Sequence, residues 1–279
     1  MKNINTLDAM RAWSRSERKA GRLVALVPTM GFLHEGHLSL IRTARTQADS
    51  VVVSIFVNPT QFGPNEDFNR YPRNLKGDQE QCKNEDVDVV FCPITEEMYP
   101  GVPTIGISED MVSQSLEGAF RPGHFRGVMT VVAKLFLAVE PDYAVFGEKD
   151  AQQLFLIQKM VQDLNFPVDI LAAPTMRETD GLAMSSRNVY LSEQTRQQAT
   201  CLYRALKAAV ALRSSGETDV SVFRSAMRAL IEAEPDAELD YAEVVSEDTF
   251  LPATSVSAAC RAVMAVRFAD VRLIDTMGL

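Results

Sequence analysis

The sequence predicts an α/β fold: a doubly wound parallel sheet, followed by a smaller α+β C-terminal domain made of helices and a short antiparallel sheet. Two observations support this prediction. Through the first two thirds of the chain, short apolar runs rich in β-branched residues alternate with amphipathic helical patterns, as expected for strands that are buried on both faces of a parallel sheet. The last third turns to Ala-rich helical stretches and then to alternating strands.

The first region contains strand and helix candidates in alternation. The strands are expected at residues 23–27, 51–57, 87–91, 143–146 and 168–171, and the helices near 38–48, 74–85, 127–139 and 150–164. Because each strand is a continuous apolar run between helices, we expect a Rossmann-like sheet covered on both faces. Ligands bind such sheets at the carboxyl ends of the strands.

The C-terminal region has a different pattern. The helices are expected at 193–213 and 219–234, and the strands at 239–245 and 260–274. Pro174 and Asp180-Gly181 mark the change, and we divide the chain into domains 1–176 and 177–279. The second domain carries few residues of chemical interest, which is typical of a scaffold or a lid.

Composition limits the classes of partner. The chain has 279 residues, of which 46% are hydrophobic and 23% charged, as in ordinary globular proteins. Its net charge of −9 argues against nucleic acid as the main partner, although it permits nucleotide binding. No apolar run or leader pattern predicts membrane insertion. The cysteines are widely spaced without a Cys-x-x-Cys pair, which indicates reduced thiols and a cytoplasmic location.

Residues 28–37 carry the most chemical information. They join the first predicted strand to a helical pattern, so a buried strand passes through a tight turn into a helix. Gly31 and Gly36 let the backbone approach a ligand, and the helix start offers N–H groups and a positive dipole end. This turn is suited to phosphate. His34 and His37 would lie beside it, where an imidazole can donate a proton to a charged oxygen.

Other interpretations of this turn are weaker. His34 and His37 do not have the spacing of a zinc-protease helix, and Gly36 lies between them. The glycine spacing resembles a P-loop, but His37 replaces its lysine and Leu38 its hydroxyl residue. A purely structural turn would need the glycines but not the imidazoles.

A second polar segment, residues 58–73, follows the strand predicted at 51–57. Its density of Pro and Gly is typical of a loop. Its position at the same sheet edge as the first turn favours substrate contact over a plain surface loop. Gln61 offers both a donor and an acceptor, which suits the hydroxyl and carboxylate groups of a small polar molecule.

Two further segments lie at strand ends. Gly147-Glu148-Lys149-Asp150 follows the strand at 143–146, and its lysine suits a phosphate or carboxylate, although solvated surface clusters have the same composition. Residues 176–188 include Ser185, Ser186 and Arg187 on a predicted hinge. These hydroxyls and the guanidinium could close over a triphosphate, whereas an inert Ser-Ser loop is the simpler alternative.

Together these segments resemble known families. The 28–37 turn resembles the HIGH-type motif of the nucleotidylyltransferase superfamily, and residues 184–187 resemble its KMSKS-type loop. The closer resemblance is to the pantoate–β-alanine ligase (pantothenate synthetase) family, whose motifs are found at residues 58–62, 71–73, 125–128, 146–153 and 180–188. The resemblance covers residues 23–191 and is looser beyond them. Ala151 stands where the family often carries an aromatic residue.

The resemblance implies ATP-dependent condensation of (R)-pantoate with β-alanine through pantoyl adenylate, with release of AMP and pyrophosphate. It implies that His37, His34 and Lys149 are catalytic. Gln61 and Gln153 would bind pantoate, and Gln61 also β-alanine. The residues implied for ATP are Met30, Gly31, Phe32, Leu33, His34, Glu35, Gly36, His37, Gly147, Glu148, Lys149, Asp150, Met176, Met184, Ser185, Ser186 and Arg187. Domain 177–279 would cover the reactive adenylate.

The resemblance also implies Mg²⁺ and a homodimer, without identifying metal ligands or a contact surface. Arg121, His124 and Arg126 receive no role, because arginines around a Pro-Gly turn often only anchor a loop. Two other functions stay open at this point. A related nucleotidylyltransferase would act on a phosphorylated alcohol and form no amide bond. A nucleotide-binding regulator would perform no turnover, but the histidines, Lys149 and Arg187 argue against it.

Overall fold

A computed structural model describes residues 1–64, 66–256 and 259–279 of the chain. It divides into two compact units, which are described one at a time. The first unit comprises Met1–Gly147 and Gln153–Pro174, and the second comprises Glu148–Gln152 and Thr175–Leu279. The short segment Glu148–Gln152 therefore packs with the C-terminal part of the chain, although it directly follows the first unit in sequence.

The described part of the first unit contains a six-stranded parallel sheet. Its strands are β1 (Lys2–Ile4), β2 (Val24–Thr29), β3 (Ser50–Ile55), β4 (Val89–Phe91), β5 (Tyr143–Gly147) and β6 (Asp169–Ala173). Their order is β1-β4-β3-β2-β5-β6, and every pair is parallel. The chain builds from β2 through β3 to β4 and then crosses to β5 and β6. The strands β2 and β5 therefore flank the switch point at which doubly wound sheets bind ligands.

Helices cover this sheet. They are α1 (Leu7–Lys19), α2 (Glu35–Gln47), α3 (Leu75–Asn84), α4 (Thr95–Met98), α5 (Glu117–Phe120), α6 (His124–Val139) and α7 (Ala151–Leu164), whose first two residues belong to the second unit. Consecutive residues Val51, Val52 and Val53 are all fully buried. Because neighbouring strand residues point to opposite faces, this pattern requires cover on both faces. The predicted doubly wound α/β class is confirmed.

Two elements, β1 and α1, carry no sequence pattern that predicts them. β1 is a three-residue strand at the edge of the sheet. In α1 the buried positions are Met10, Trp13, Ser14 and Glu17. They have helical spacing, but two of the four are polar, which hides the apolar period that identifies a helix.

In its described residues, the second unit contains three α-helices and a three-stranded antiparallel sheet in the order β7-β8-β9. The elements are α8 (Glu193–Gln198), α9 (Cys201–Ser214), α10 (Val220–Glu232), β7 (Ala237–Ser246), β8 (Cys260–Phe268) and β9 (Val271–Gly278). The helix predicted at 193–213 is thus two helices. The strand region predicted at 260–274 is a hairpin, which turns at Ala269 with φ +54°. Across the stretches that the structure describes, no helix is long and apolar enough to span a bilayer.

Candidate active site

The turn after β2 has a backbone that requires glycine. Gly31 (φ +81°) and Phe32 (φ +52°) both lie in the left-handed region, which costs a non-glycine residue roughly 1–2 kcal/mol. A Cβ atom at Gly31 would lie 2.9 Å from Ile55 Cγ2 and 3.0 Å from Asp78 Oδ2. Both conformation and space therefore require glycine at this position, and the strain at Phe32 must be offset by its contacts.

The carboxylate of Asp78, in α3, supplies those contacts. It accepts the N–H groups of Phe32 at 2.9 Å and Leu33 at 2.8 Å, and Gln81 Nε2 donates to the Leu33 carbonyl at 3.4 Å. Burial raises the pKa of the Asp78 carboxyl, while the two N–H donors oppose that rise. Asp78 was not among the predicted site residues, because nothing within the predicted helix links it to a turn 46 residues earlier.

The two histidines cap the start of α2. His34 Nδ1 accepts the N–H of Gly36 at 3.1 Å, and His37 Nδ1 accepts the N–H of His34 at 3.3 Å. Their ring centroids are 4.1 Å apart. Because each Nδ1 is an acceptor, the proton of each neutral ring lies on Nε2. Both rings thus have Nε2–H as their donor, and one N–H of the helix start, that of Gly36, is taken up by the His34 cap.

The carboxyl end of β5 lies beside α2. A Cβ atom at Gly147 would lie 3.9 Å from Leu40 Cδ2 of α2, an ordinary contact distance. The structure therefore brings Gly147 to the helix that begins with the two histidines. Gln153 is half-buried in the first turn of α7 and belongs to the same unit.

The turn after β3 is organised by Asn58, which is fully buried. Its Nδ2 donates to Gln61 Oε1 at 3.0 Å and to the Gly127 carbonyl at 3.2 Å. Its Oδ1 accepts the Thr60 N–H at 3.3 Å and the Tyr99 hydroxyl at 3.0 Å. The protein thus fixes the Gln61 side chain through its oxygen, which leaves the amide N–H groups of Gln61 as donors on the side away from Asn58.

Arg121 and His124 hold the backbone of Gln61. His124 Nδ1 donates to the Gln61 carbonyl at 2.9 Å, and Arg121 Nη2 donates to it at 3.3 Å. Arg121 Nη1 donates to His124 Nε2 at 3.1 Å, so this ring is protonated on Nδ1. Arg121 also forms a bidentate pair with Glu66, at 2.6 and 3.0 Å. Both residues therefore anchor the loop that carries Gln61, whereas Arg126 is exposed.

In the second unit, residues 176–184 form a short hairpin. The Met184 N–H donates to the Met176 carbonyl at 3.0 Å, and the Glu178 N–H donates to the Leu182 carbonyl at 2.8 Å. At the tip, Gly181 has φ +94°, and a Cβ atom there would lie 2.1 Å from the Tyr203 ring. Both conformation and space require this glycine, because the Tyr203 ring packs directly against the hairpin tip.

The KMSKS-like segment begins at the last residue of the hairpin, Met184, and continues beyond it. Ser185 Oγ accepts the Arg187 N–H at 3.2 Å and so caps the 3₁₀ helix Ser186–Tyr190. Asn188 Nδ2 donates to the Ala183 carbonyl at 3.2 Å, which ties this helix back to the hairpin. Ser185, Ser186 and Arg187 are therefore placed by local hydrogen bonds.

Glu148, Lys149 and Asp150 form a 3₁₀ helix that packs against β9 of the same unit. Glu148 lies 3.8 Å from the Arg261 guanidinium of β8. Asp150 is exposed and Lys149 half-buried. The C-terminal sheet therefore positions this segment, which the sequence analysis assigned to the first domain.

Comparisons with known proteins identify the family to which this chain belongs. A sequence model of the family described as "Pantoate-beta-alanine ligase" matches residues 2–278. The pantothenate synthetase of Koribacter versatilis (strain Ellin345) is 49% identical over 279 residues, covering 100% of this chain and 96% of that protein. The pantothenate synthetase of Heliobacterium modesticaldum (strain ATCC 51547 / Ice1) is 50% identical over 277 residues, covering 99% of each.

Solved structures give the same result. Pantothenate synthetase from Thermus thermophilus superposes with a TM-score of 0.93 at 45% identity, covering 99% of each chain. A pantoate-beta-alanine ligase from Francisella tularensis, complexed with beta-gamma ATP and beta-alanine, superposes with a TM-score of 0.82 at 33% identity, covering 99% of this chain and 97% of that one. These matches confirm the predicted family and do not favour transfer to a phosphorylated alcohol. The chain belongs to the pantoate–β-alanine ligase family and is an ATP-dependent ligase that joins pantoate to β-alanine.

Proposed function

We propose that the ligation proceeds through pantoyl adenylate on the residues described above. A pantoate carboxylate oxygen attacks the α-phosphorus of ATP, and the bond from that phosphorus to the bridging oxygen of pyrophosphate breaks. The amine of β-alanine then attacks the acyl carbon, AMP departs and the nitrogen loses a proton. The Francisella relative, solved with beta-gamma ATP and beta-alanine, supports ATP and β-alanine as ligands.

The observation that carries this proposal is that each of the paired imidazoles accepts a backbone N–H through Nδ1, from which the Nε2–H tautomer follows. His34 and His37 both use Nδ1 to cap α2, so both have Nε2–H donors at the positive end of that helix. Phosphoryl transfer depends mainly on positioning and on neutralising charge. His37, assisted by His34, would therefore donate to the phosphate oxygens on which negative charge develops, and residues 30–37 would line ATP.

Pantoate binding is assigned to Gln61 and Gln153. Gln61 has an oriented amide group, because Asn58 holds its Oε1. An amide N–H donor suits the carboxylate and hydroxyl groups of pantoate. The same group would orient β-alanine for the second step, after ATP has been consumed.

Residues of the second unit complete the assignment for ATP. Lys149 and Arg187 supply positive charge for the phosphates, and Ser185 and Ser186 supply hydroxyl donors. The proposed ATP site also includes Glu148, Asp150, Met176 and Met184. We assign to domain 177–279 the role of a cover, because an acyl adenylate must be shielded from water.

Magnesium is proposed as a companion of ATP. The described residues contain no group of three or more His, Cys, Asp or Glu side chains placed to hold a metal. Asp78, a buried carboxylate beside the first turn, is already engaged by two N–H groups. Mg²⁺ keeps several waters and commonly binds through substrate phosphates. This chain therefore fits an ion that ATP oxygens carry into the site, where it would neutralise phosphate charge.

Pyrophosphate exchange into ATP tests the adenylate. We expect exchange only when pantoate is present, followed by release of AMP when β-alanine is added. His37→Ala should lower the exchange rate by about 10²–10³-fold, as expected for loss of one preorganised charge stabiliser, with a smaller effect on ATP binding. Exchange that proceeds without pantoate, or equal losses in rate and ATP binding, would contradict the proposal.

Gln61→Ala provides the complementary test. It should raise the KM for pantoate more than the KM for ATP. His124→Ala is a matched variant, since it removes a donor to the Gln61 backbone and leaves the Gln61 side chain; it should shift the pantoate KM in the same direction by a smaller factor. The opposite ranking, with ATP affected more, would move pantoate elsewhere.

We further propose a homodimer in the cytoplasm. Val102, Ile105 and Met111, which are close in sequence, are 88%, 87% and 64% exposed, and exposed apolar side chains are a common feature of interfaces between copies. Sedimentation should show a dimer that V102D/I105D converts to a monomer.

All four cysteines are free thiols, which supports a reducing compartment such as the cytoplasm. Cell fractionation would test this location.

A further inference from the structure

Asp275, in the C-terminal strand β9, carries a carboxylate whose side chain is only 1% exposed. It forms a bidentate ion pair with Arg177, with Oδ2 2.6 Å from Nη1 and Oδ1 3.0 Å from Nη2. The Thr276 N–H also donates to Oδ1, at 2.7 Å. The buried charge is thus fully paired, which makes loss of either partner costly.

Arg177 connects this pair to the hairpin 176–184. Its Nη1 donates to the Gly181 carbonyl at 3.1 Å, and its Nη2 donates to the Thr276 carbonyl at 3.3 Å. The guanidinium carbon lies 4.9 Å from the centroid of the Tyr203 ring, within the range of a cation–π contact. The arginine at the base of the hairpin is therefore bonded both to the hairpin tip and to β9.

The strand β9 also contacts two other segments of the same unit. It packs against the 3₁₀ helices Glu148–Asp150 and Ser186–Tyr190. Burial raises the pKa of Asp275, while the hydrogen bond and charge of Arg177, and to a smaller extent the charge of Lys149, oppose that rise. The strand that carries Asp275 therefore packs against both segments that we assign to the ATP phosphates.

We infer that Asp275 is a positioning residue for the adenylation step. It acts through Arg177 to place the hairpin that leads into Ser185–Ser186–Arg187, and through its charge to place Lys149. This role rests on the proposed function, in which Lys149 and Arg187 hold ATP. This pair differs from another arginine-paired carboxylate of the same sheet, Asp240, whose partners Arg267 and Arg272 lie within the sheet itself.

The test replaces Asp275 by Asn, which keeps the shape and removes the charge. In pantoate-dependent pyrophosphate exchange, D275N should lower the rate and raise the KM for ATP. The ratio of rate to KM should fall by ~10- to 10²-fold, the range expected from misplaced binding groups. The KM for β-alanine in the second step should stay within about twofold of wild type. The matched control is Asp240→Asn, which removes another buried, arginine-paired carboxylate and should leave the KM for ATP unchanged.

A double-mutant cycle with Lys149→Ala separates positioning from general stability. Because Asp275 is inferred to act on Lys149 as well as on Arg177, D275N should cost less in the K149A background than in wild type. Full additivity, or equal ATP KM values in D275N, D240N and wild type, would overturn the inference. If D275N does not fold, Asp275→Glu takes its place in the test, because it keeps the charge but shifts it by one methylene. A wild-type KM for ATP in D275E would overturn the inference.

The same assays distinguish this inference from the function on which it rests. Wild-type protein that shows no pantoate-dependent exchange would refute the proposed function, whatever Asp275 does. Normal wild-type exchange with an impaired K149A and an unaffected D275N would leave the function intact and refute the role of Asp275 alone.

Discussion

A methyl group added at Gly127, in the first turns of α6, would test how closely the substrate loop is positioned. The Cβ atom of Gly127→Ala would lie 2.3 Å from the Thr60 carbonyl oxygen, 2.6 Å from its carbon and 2.9 Å from the Gln61 nitrogen. All three atoms are backbone, so no side-chain rotation relieves the clash. The 3₁₀ turn Pro59–Gln61 must move, and Gln61 moves with it.

The size of the effect can be worked from these distances. Ordinary contact begins at 3.4 Å, so the turn must withdraw by about 1.1 Å from the present 2.3 Å. Overpacking of this kind costs about 1–3 kcal/mol, which exceeds the gain of at most about 1 kcal/mol from replacing a helical glycine by alanine. A displacement of about 1 Å in a positioning group can cost on the order of 10²-fold in activity.

We therefore expect G127A to lose about 1–2 kcal/mol of stability in urea unfolding. Its kcat/KM for pantoate should fall by on the order of 10- to 10²-fold, through a higher KM, a lower kcat or both. The KM for ATP should change less. Gly63→Ala is the matched control, because a Cβ atom there meets only the Glu66 side chain, at 3.7 Å or more. If G127A is destabilised as expected but uses pantoate like wild type, the position of this turn does not govern substrate binding.

Two further predictions concern other buried carboxylates. Asp78→Ala leaves the N–H groups of Phe32 and Leu33 without their acceptor, at about 1–3 kcal/mol each, so both stability and pyrophosphate exchange should fall; exchange at the wild-type rate would show that the turn holds its shape unaided. Glu17→Gln tests the pH dependence of stability. In the native protein, the hydrogen bond from Arg22 lowers the pKa of Glu17 below the ordinary 4.5. The folded state therefore binds that proton less tightly than the unfolded state. Its stabilisation is present above pH 4.5 and is lost as pH falls through the lowered pKa, so E17Q should unfold more easily at pH 7 and lose less stability on acidification. An acid decline as steep in E17Q as in wild type would contradict this assignment.

The first turn and the Gln61 loop could be predicted because their signals are local. Gly31, Gly36 and the histidines lie within a few residues of one another, and each segment follows an apolar run that is typical of a buried strand. The rule that ligands bind at strand carboxyl ends then placed both segments at one edge of the sheet. The observed order of the strands confirms that edge, with β2 beside both β3 and β5.

The residues that support these segments could not be predicted in the same way. Asp78 acts on a turn 46 residues earlier, and Gly127 offers its carbonyl to an Asn58 side chain 69 residues away. Such partners follow no period and no motif, because a hydrogen bond depends on where two elements lie in space. The tautomers of His34, His37 and His124 likewise depend on which backbone group meets each ring nitrogen.

The sequence by itself determined the alternation of strands and helices, the glycine turn with its two imidazoles, and the polar residues after each strand, because these depend on neighbours along the chain. Only the tertiary structure decided that Glu148–Gln152 packs with the C-terminal unit, and that Asp275 pairs with an arginine 98 residues before it. Burial of charge explains the difference: a carboxylate withdrawn from water needs a cation and hydrogen-bond donors at short range, and the folded chain supplies them from segments that are distant in sequence.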